Sequence, residues 1–286
     1  MPKTTAISGL DHCIIAARDL EIARDTYEKL GFTLSRRGRH IGWGTANYCI
    51  MFGPDYLELL GIVDPAQYTP GLENFTEKRE GLMKIISRSD NIQTTRDHLL
   101  AQGFHPDAVQ DLGRALEMPE GDVIPRFKLL HLPEADTPGL STFICQHLTP
   151  ELVWRDEWMT HANGAKAVYA YTILYDDPAS LAETYGKFYG IAPVVLDGRI
   201  VVKTGGGKLI FCTATDLSIV HPGIHWPYEQ ANGTMPVITI AVDETDKCAK
   251  HLNEKSVAHI RREDGSILVQ AADAHGVALQ FQSVYN

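Results

Sequence analysis

Apolar and polar positions along this chain repeat in a fixed order. The run "GLDHCIIAA" (residues 9–17) is apolar almost throughout and predicts a buried strand. "DLEIARDTYEKL" (19–30) then sets Leu20, Ala23, Tyr27 and Leu30 at helical spacing, one apolar stripe backed by charge. Asp19 stands where a side chain caps a helix start, and Gly31 where a left-handed residue ends it. Phe32 opens the next strand. The same grammar returns from Asp90 to Gly103-Phe104, from Asp177 to Gly190-Ile191 and from Asp243 to Ser256-Val257. Pro178 takes the first helical position of the third copy, where proline fits. The first and third copies even share Thr26-Tyr27-Glu28-Lys29 against Thr184-Tyr185-Gly186-Lys187. Four copies together point to internal duplication.

Short segments with strand character follow each helix. They are "FTLSRR", "ANYCIMF" and "YLELLGIV"; "RALEM", "RFKLLHL" and "STFICQHL"; "APVVL", "RIVVKT" and "KLIFCTA"; "AHIRR", "SILVQA" and "VALQFQS". No helix separates them, so each unit reads βαβββ and the chain is α+β rather than a doubly wound parallel sheet.

Length and composition narrow the function. A chain of 286 residues, 44% apolar and 22% charged, builds ordinary cores in two domains. A net charge of −10 with no basic stripe argues against nucleic acid and anionic membranes as partners. No run of 18 apolar residues exists, and the amino terminus lacks an apolar leader, so a cytoplasmic location is expected. The five cysteines form no CxxC pair, which suits reduced thiols.

Two side chains are out of keeping with the apolar strands that hold them. His12 lies in the first strand. Glu58 is flanked by Leu57, Leu59 and Leu60. A carboxylate buried there needs a partner, whereas on the solvent face of an edge strand it needs none. Period-two alternation leaves both readings open.

Tandem βαβββ units with "LDH" on the first strand, "TYEKLGF" on the helix and "YLELLGI" on the last strand resemble the vicinal oxygen chelate superfamily. That group includes glyoxalase I, extradiol dioxygenases, methylmalonyl-CoA epimerase and fosfomycin- and bleomycin-resistance proteins. "HIGWGTANYCIMFGPDYLELLGI" and "FICQHLTPELVWRDEWMTHANGA" are similar to its glyoxalase-like domain proteins. The resemblance implies four βαβββ modules paired into two glyoxalase-like half-barrel domains. Residues 1–150 would carry the site, 151–165 would be a linker, and 166–286 would lack metal ligands.

The resemblance also implies ligands on the first and last strands of each module. Matched residue by residue, His12 and Glu58 take these places in module one. The last strand of module two offers Gln146 or His147, of which imidazole is the better ligand. Counting back from the capping acids, as His12 lies from Asp19, gives Met83, Ala170 and Pro236, and Gln280 stands on the last strand of module four. None is a usual ligand. The implied cofactor is a divalent metal (Fe, Mn, Zn, Ni or Co), with a metal-free site left open. His40, Thr45 and Asn47 belong either to a surface hairpin or to a loop contacting substrate at the cavity mouth. Trp154, Trp158 and His161 are rich material for a linker: either the tryptophans pack the halves together, or His161 and Asn163 reach back to the cleft. Residues 221–234, with His221 and His225, read as a surface loop, and "TGGGK" (204–208) as a hairpin turn rather than a phosphate loop.

Two functions follow from the resemblance. One is a metal-dependent isomerase, lyase or extradiol-type dioxygenase acting on a small oxygenated substrate, with Glu58 and His12 as catalytic groups. The other is a protein that binds a small antibiotic-like molecule without turning it over. A homodimer is left open.

Overall fold

Two eight-stranded sheets take up the strands of the four modules in the computed structural model, which describes residues 6–284. The stretch read for a leader lies partly outside those residues. Module one is β1 (Gly9–Ala16), α1 (Leu20–Lys29), β2 (Gly38–His40), β3 (Thr45–Met51) and β4 (Tyr56–Ile62). After a short α2 (Leu72–Lys78) comes module two: β5 (Gly81–Arg88), α3 (Ile92–Ala101), β6 (Gln110–Leu116), β7 (Arg126–His131) and β8 (Phe143–His147). Module three is β9 (Ala165–Leu174), α4 (Ala182–Tyr189), β10 (Val194–Leu196), β11 (Arg199–Lys203) and β12 (Lys208–Cys212). A single turn, α5 (Leu217–Val220), precedes module four: β13 (Val237–Val242), α6 (Thr245–Glu254), β14 (Ile260–Arg261), β15 (Ile267–Val269) and β16 (Ala278–Ser283).

The first two modules close into a barrel, in the order β1-β4-β3-β2-β6-β7-β8-β5. The last two form an open sheet, β10-β11-β12-β9-β13-β16-β15-β14. Within each module the first strand pairs parallel with the last, and the two first strands of a pair run antiparallel. This is the paired βαβββ architecture that the sequence implies. Among the described residues no helix is long and apolar enough to cross a membrane.

The helix signals hold unevenly. Asp19 caps α1 as expected, its Oδ1 accepting from the amides of Glu21 and Ile22 at 3.0 Å. Asp90 does not cap α3; Asn91, one residue on, accepts from the Thr94 amide at 3.0 Å. Asp177 precedes a 3₁₀ turn, Pro178–Leu181, and makes no side-chain cap. Glu244 rather than Asp243 stands at the start of α6, also without a side-chain bond. The stops are more regular. Gly31, Gly103, Gly190 and Ser256 all turn left-handed, with φ of 93°, 87°, 68° and 52°. One strand expected from the sequence is absent: Phe32–Arg37 is irregular, and pairing begins at Gly38.

One apolar core runs between the halves, joining Tyr27 and Phe32 of module one to Tyr171 and Phe281 of the carboxy-terminal sheet and to Tyr185 of α4. Asp55 is buried at this junction, where its Oδ1 accepts from the Val168 amide at 3.0 Å. Burial pushes its carboxyl up to about 7, against the pull of that amide and of Arg88. Below about pH 3.8 both the folded and the unfolded chain hold this proton. As pH rises toward 7 the unfolded chain releases it and the folded chain keeps it, so stability falls through that window. Asp55→Asn removes the loss. Its stabilisation relative to the wild type, measured by urea unfolding at pH 4.5, 6 and 7.5, grows with pH to roughly 2–4 kcal/mol. A difference that stays constant with pH would show that the buried carboxyl is not the cause.

Candidate active site

The alternation along β4 decides where Glu58 goes. Leu57 and Leu59 face the core shared with α1. Tyr56 and Leu60 face the barrel interior, with Ile14, Met51 and Cys145. Glu58 shares their parity and is 4% exposed, and β4 lies between β1 and β3, so the edge-strand reading is excluded. His12 is also 4% exposed and stacks on Tyr56 with ring centroids 4.5 Å apart.

The two groups converge. His12 Nε2 lies 3.4 Å from Glu58 Oε2. On its other side the ring meets a carboxylate that the sequence reading missed: His12 Nδ1 is 2.6 Å from Asp11 Oδ2. For a neutral ring this fixes the proton on Nδ1 and aims the Nε2 lone pair at Glu58. Glu58 Oε1 accepts from Asn47 Nδ2, and His40 Nε2 stands 3.7 Å from the same oxygen. His40 Nδ1 is held by Thr45 Oγ1 at 2.9 Å. Burial lowers the His40 pKa to about 4, so this ring is neutral at neutral pH.

Asp11 also contacts the third expected ligand. His147 faces the barrel interior and Gln146 faces out, where its amide bonds the Ile92 amide and the Asp90 carbonyl at the start of α3. His147 does not reach Glu58; its Nε2 lies 3.0 Å from Asp11 Oδ2. Asp11 is fully buried. Burial would raise its carboxyl, but the charge of His147 and the hydrogen bonds of both imidazoles hold it well below the usual carboxylate range.

Beside His12 and Glu58 opens a cavity of about 180 Å³, walled by Trp43, Tyr56, Phe127 and Phe143. His40, Lys84, Arg114, His131 and Cys145 also line it. Arg114, on β6, is 3% exposed and donates from Nη1 to Cys49 Sγ at 3.0 Å. Burial opposes its charge, while Cys49, Tyr56 and Glu58 favour it and keep the guanidinium protonated.

Thr45 and Asn47 are buried and orient His40 and Glu58 rather than lining the cavity. His161 and Asn163 are away from it altogether. His161 Nδ1 accepts from the Thr33 amide at 3.0 Å, and its Nε2 meets the Met51 carbonyl at 2.9 Å. Asn163 Nδ2 donates to the Leu30 carbonyl at 3.0 Å. Both clamp the connecting segment to module one, satisfying backbone groups that end α1 and β3. Trp154 and Trp158 pack under the barrel interior instead of between the halves.

Strand register corrects the ligand positions obtained by counting. His12 lies opposite Ile86 across β1–β5 and beside Tyr56, with Glu58 two residues further along β4. In module two the register Ser87–Ile144 brings Ile86 level with Phe143, and Cys145 follows two residues on. The residue equivalent to His12 is therefore Ile86, not Met83. The same geometry in the open sheet selects Thr172 and Val237 instead of Ala170 and Pro236, and Gln280 keeps its expected place. There the loop expected at the surface folds in. His221 is 2% exposed and lies 2.8 Å from Thr172 Oγ1 and 2.6 Å from Gln280 Oε1, with Arg262 on the same amide. Among the described residues, a cluster of three potential metal ligands occurs at Asp11, Cys145 and His147.

His12 and Glu58 together offer a nitrogen and a carboxylate donor of the kind that would hold a divalent cation. A lone pair and a carboxylate facing across 3.4 Å need a proton or a cation between them, and a divalent ion held there would take one ligand from each. Asp11 supplies the carboxylate–histidine support such a site uses. Nitrogen and oxygen donors suit Mn, Fe, Co, Ni or Zn.

A barrel of paired βαβββ modules places the chain in a known class of fold. The chain belongs to the family described as glyoxalase-like domain, whose profile matches residues 10–189. A hypothetical protein from Staphylococcus aureus has a similar fold, with a TM-score of 0.68, 13% identity, and coverage of 96% of this chain and 99% of that one. A mutant of 4-hydroxymandelate synthase from Streptomyces coelicolor superposes with a TM-score of 0.62 at 12% identity, covering 96% and 92% of the two chains. A xylose isomerase-like TIM barrel/4-hydroxyphenylpyruvate dioxygenase fusion protein gives 0.57 at 14% identity, covering 98% of this chain and 49% of that one. These likenesses show the fold. No curated protein matches the sequence.

Proposed function

We propose that the barrel cavity is the active site of a glyoxalase-like enzyme acting on a small oxygenated molecule by isomerase, lyase or extradiol-type dioxygenase chemistry. The observation that carries this reading is Glu58: a carboxylate 4% exposed at the cavity wall, held by Asn47 and facing His12 Nε2 across 3.4 Å. His12 and Glu58 would hold a divalent metal, which as a Lewis acid polarises paired substrate oxygens. Asp11 holds His12 in its ligating tautomer. Asn47 takes one oxygen of Glu58 and leaves Oε2 for the ion or for a proton. His40, neutral and 3.7 Å from Glu58, is placed to exchange a proton with substrate at Nε2. The aromatic walls exclude water from the reacting atoms. Five buried, unpaired cysteines are in keeping with a reducing cytoplasm.

The alternative, binding without turnover, draws on one observation: Ile86 occupies the second first-strand position, so the cavity has fewer ligands than a symmetric site. Metal analysis of protein purified without a polyhistidine tag separates the two. The enzyme reading predicts about one transition-metal ion per chain. A metal-free chain that also fails to take up Mn, Fe, Co, Ni or Zn would favour the binder.

A further inference from the structure

A buried guanidinium is ordinarily answered by a carboxylate, because an unpaired charge in a low dielectric costs several kcal/mol. Arg114 has no such partner at bonding distance, and Glu58 acts on it only through space. Among the described residues no carboxylate oxygen lies within 4.0 Å of it; its resolved partner is the Cys49 thiol at 3.0 Å. Its Nε is buried and without a partner. The guanidinium sits 5.6 Å from the centre of the Phe127 ring and borders the cavity.

The barrel is shaped to hold it there. Gly38 pairs with Leu116 on β6 and with Asn47 on β3. A Cβ on Gly38 would come within 2.7 Å of Arg114 Cδ and would also collide with Asn47 Oδ1. The missing side chain at position 38 thus makes room for the stem of Arg114 and for the amide that orients Glu58. On the lining itself Arg114 and Lys84 are two cations beside the carboxylate of Glu58, with the Asp11 carboxylate behind His12 rather than on the wall.

We propose that the ligand of this cavity is a small organic anion, a carboxylate on a short apolar or aromatic body, and that Arg114 receives its charge. The inference rests on the cavity being the functional site, and it names the substrate class. Arginine suits the role because its planar fork meets a carboxylate through paired N–H donors. The Nη donors not engaged by Cys49 are the ones available for this, since Nε is closed off from the cavity. The size also limits the ligand, since about 180 Å³ lies below the 300–1,000 Å³ usual for drug-sized molecules. The aromatic walls would take the body, with its carboxylate at Arg114.

The test uses the full chain treated with chelator, so that neither metal nor turnover enters the readout. Propionate, 2-oxobutyrate and benzoate are titrated by calorimetry and compared with propionamide and benzamide, which match two of them in shape but lack charge. At least one acid should bind, and should bind tenfold or more tighter than its amide. Arg114→Gln should weaken that acid by roughly tenfold to a hundredfold, and Arg114→Lys by less. Glu58→Gln should leave the acid bound or strengthen it, because it removes a like charge from the cavity. That outcome separates this inference from the metal reading, which Glu58→Gln is expected to abolish. Equal affinity for acid and amide, or no binding of any acid at millimolar concentration, would overturn the proposal whatever the variants do.

Discussion

Asp11→Ala lowers the stability of the folded chain by about 3–5 kcal/mol, one of the two largest effects expected of a single substitution here. The carboxylate is fully buried and its Oδ2 serves His12 and His147 at 2.6 and 3.0 Å. Removing it leaves two imidazole nitrogens buried without partners, each at about 1–3 kcal/mol, and opens a small void. At roughly 2–4 °C per kcal/mol for a chain of this size, the melting temperature falls by about 10 °C. The effect has a pH signature. A carboxyl held below its ordinary range contributes stability that is present above about pH 3.8 and is lost as pH falls through its folded value. The penalty of Asp11→Ala, measured by thermal unfolding, is therefore full at pH 7 and shrinks in acid. A penalty that does not shrink even at about pH 2 would mean that Asp11 acts by packing rather than by charge.

The second large effect comes from neighbouring residues on opposite faces of β4. Leu57→Ala empties a site with 0% exposure in the core against α1, at about 2–5 kcal/mol, and leaves the cavity lining intact. Glu58→Gln keeps size and one oxygen but removes the charge. It should cost about 10²–10⁴ in turnover on whatever substrate is found, with a melting temperature close to that of the wild type. Measuring both properties on both variants tests the face assignment. A Glu58→Gln chain that unfolds early and a Leu57→Ala chain that is stable but inactive would reverse it.

Most of the fold was readable because duplication repeats its signals. Leu20, Ala23 and Tyr27 give the buried stripe of α1, and all four module helices end at left-handed residues. The caps slipped because a neighbour could compete. Asn91 bonds the helix amide that Asp90 was expected to take, and Pro178 winds its first turn as 3₁₀. The pair His12 and Glu58 was legible as polar residues in apolar strands. Its supports were not. Asp11 sits beside His12 where alternation would turn it away, but β1 is irregular between Leu10 and His12, and both side chains end up buried together. Arg114 lies in "RALEM", a segment whose depth depends on β2 and β6 closing the barrel, which no local pattern encodes. His161 and Asn163 are polar residues in a connection, a common mark of function. Here they satisfy backbone carbonyls and amides instead.

We propose His12 and Glu58, rather than the neighbouring Asp11, Cys145 and His147, as the metal-binding centre. Cobalt(II) titration of the chelator-treated chain, followed by calorimetry and visible absorption, tests it most directly in the wild type, Glu58→Gln and His147→Gln. The account predicts one site per chain in the wild type, lost in Glu58→Gln, retained in His147→Gln, and free of thiolate-to-cobalt charge-transfer bands. Binding that survives in Glu58→Gln, disappears in His147→Gln and carries the thiolate band would place the metal on Asp11, Cys145 and His147 and contradict the account.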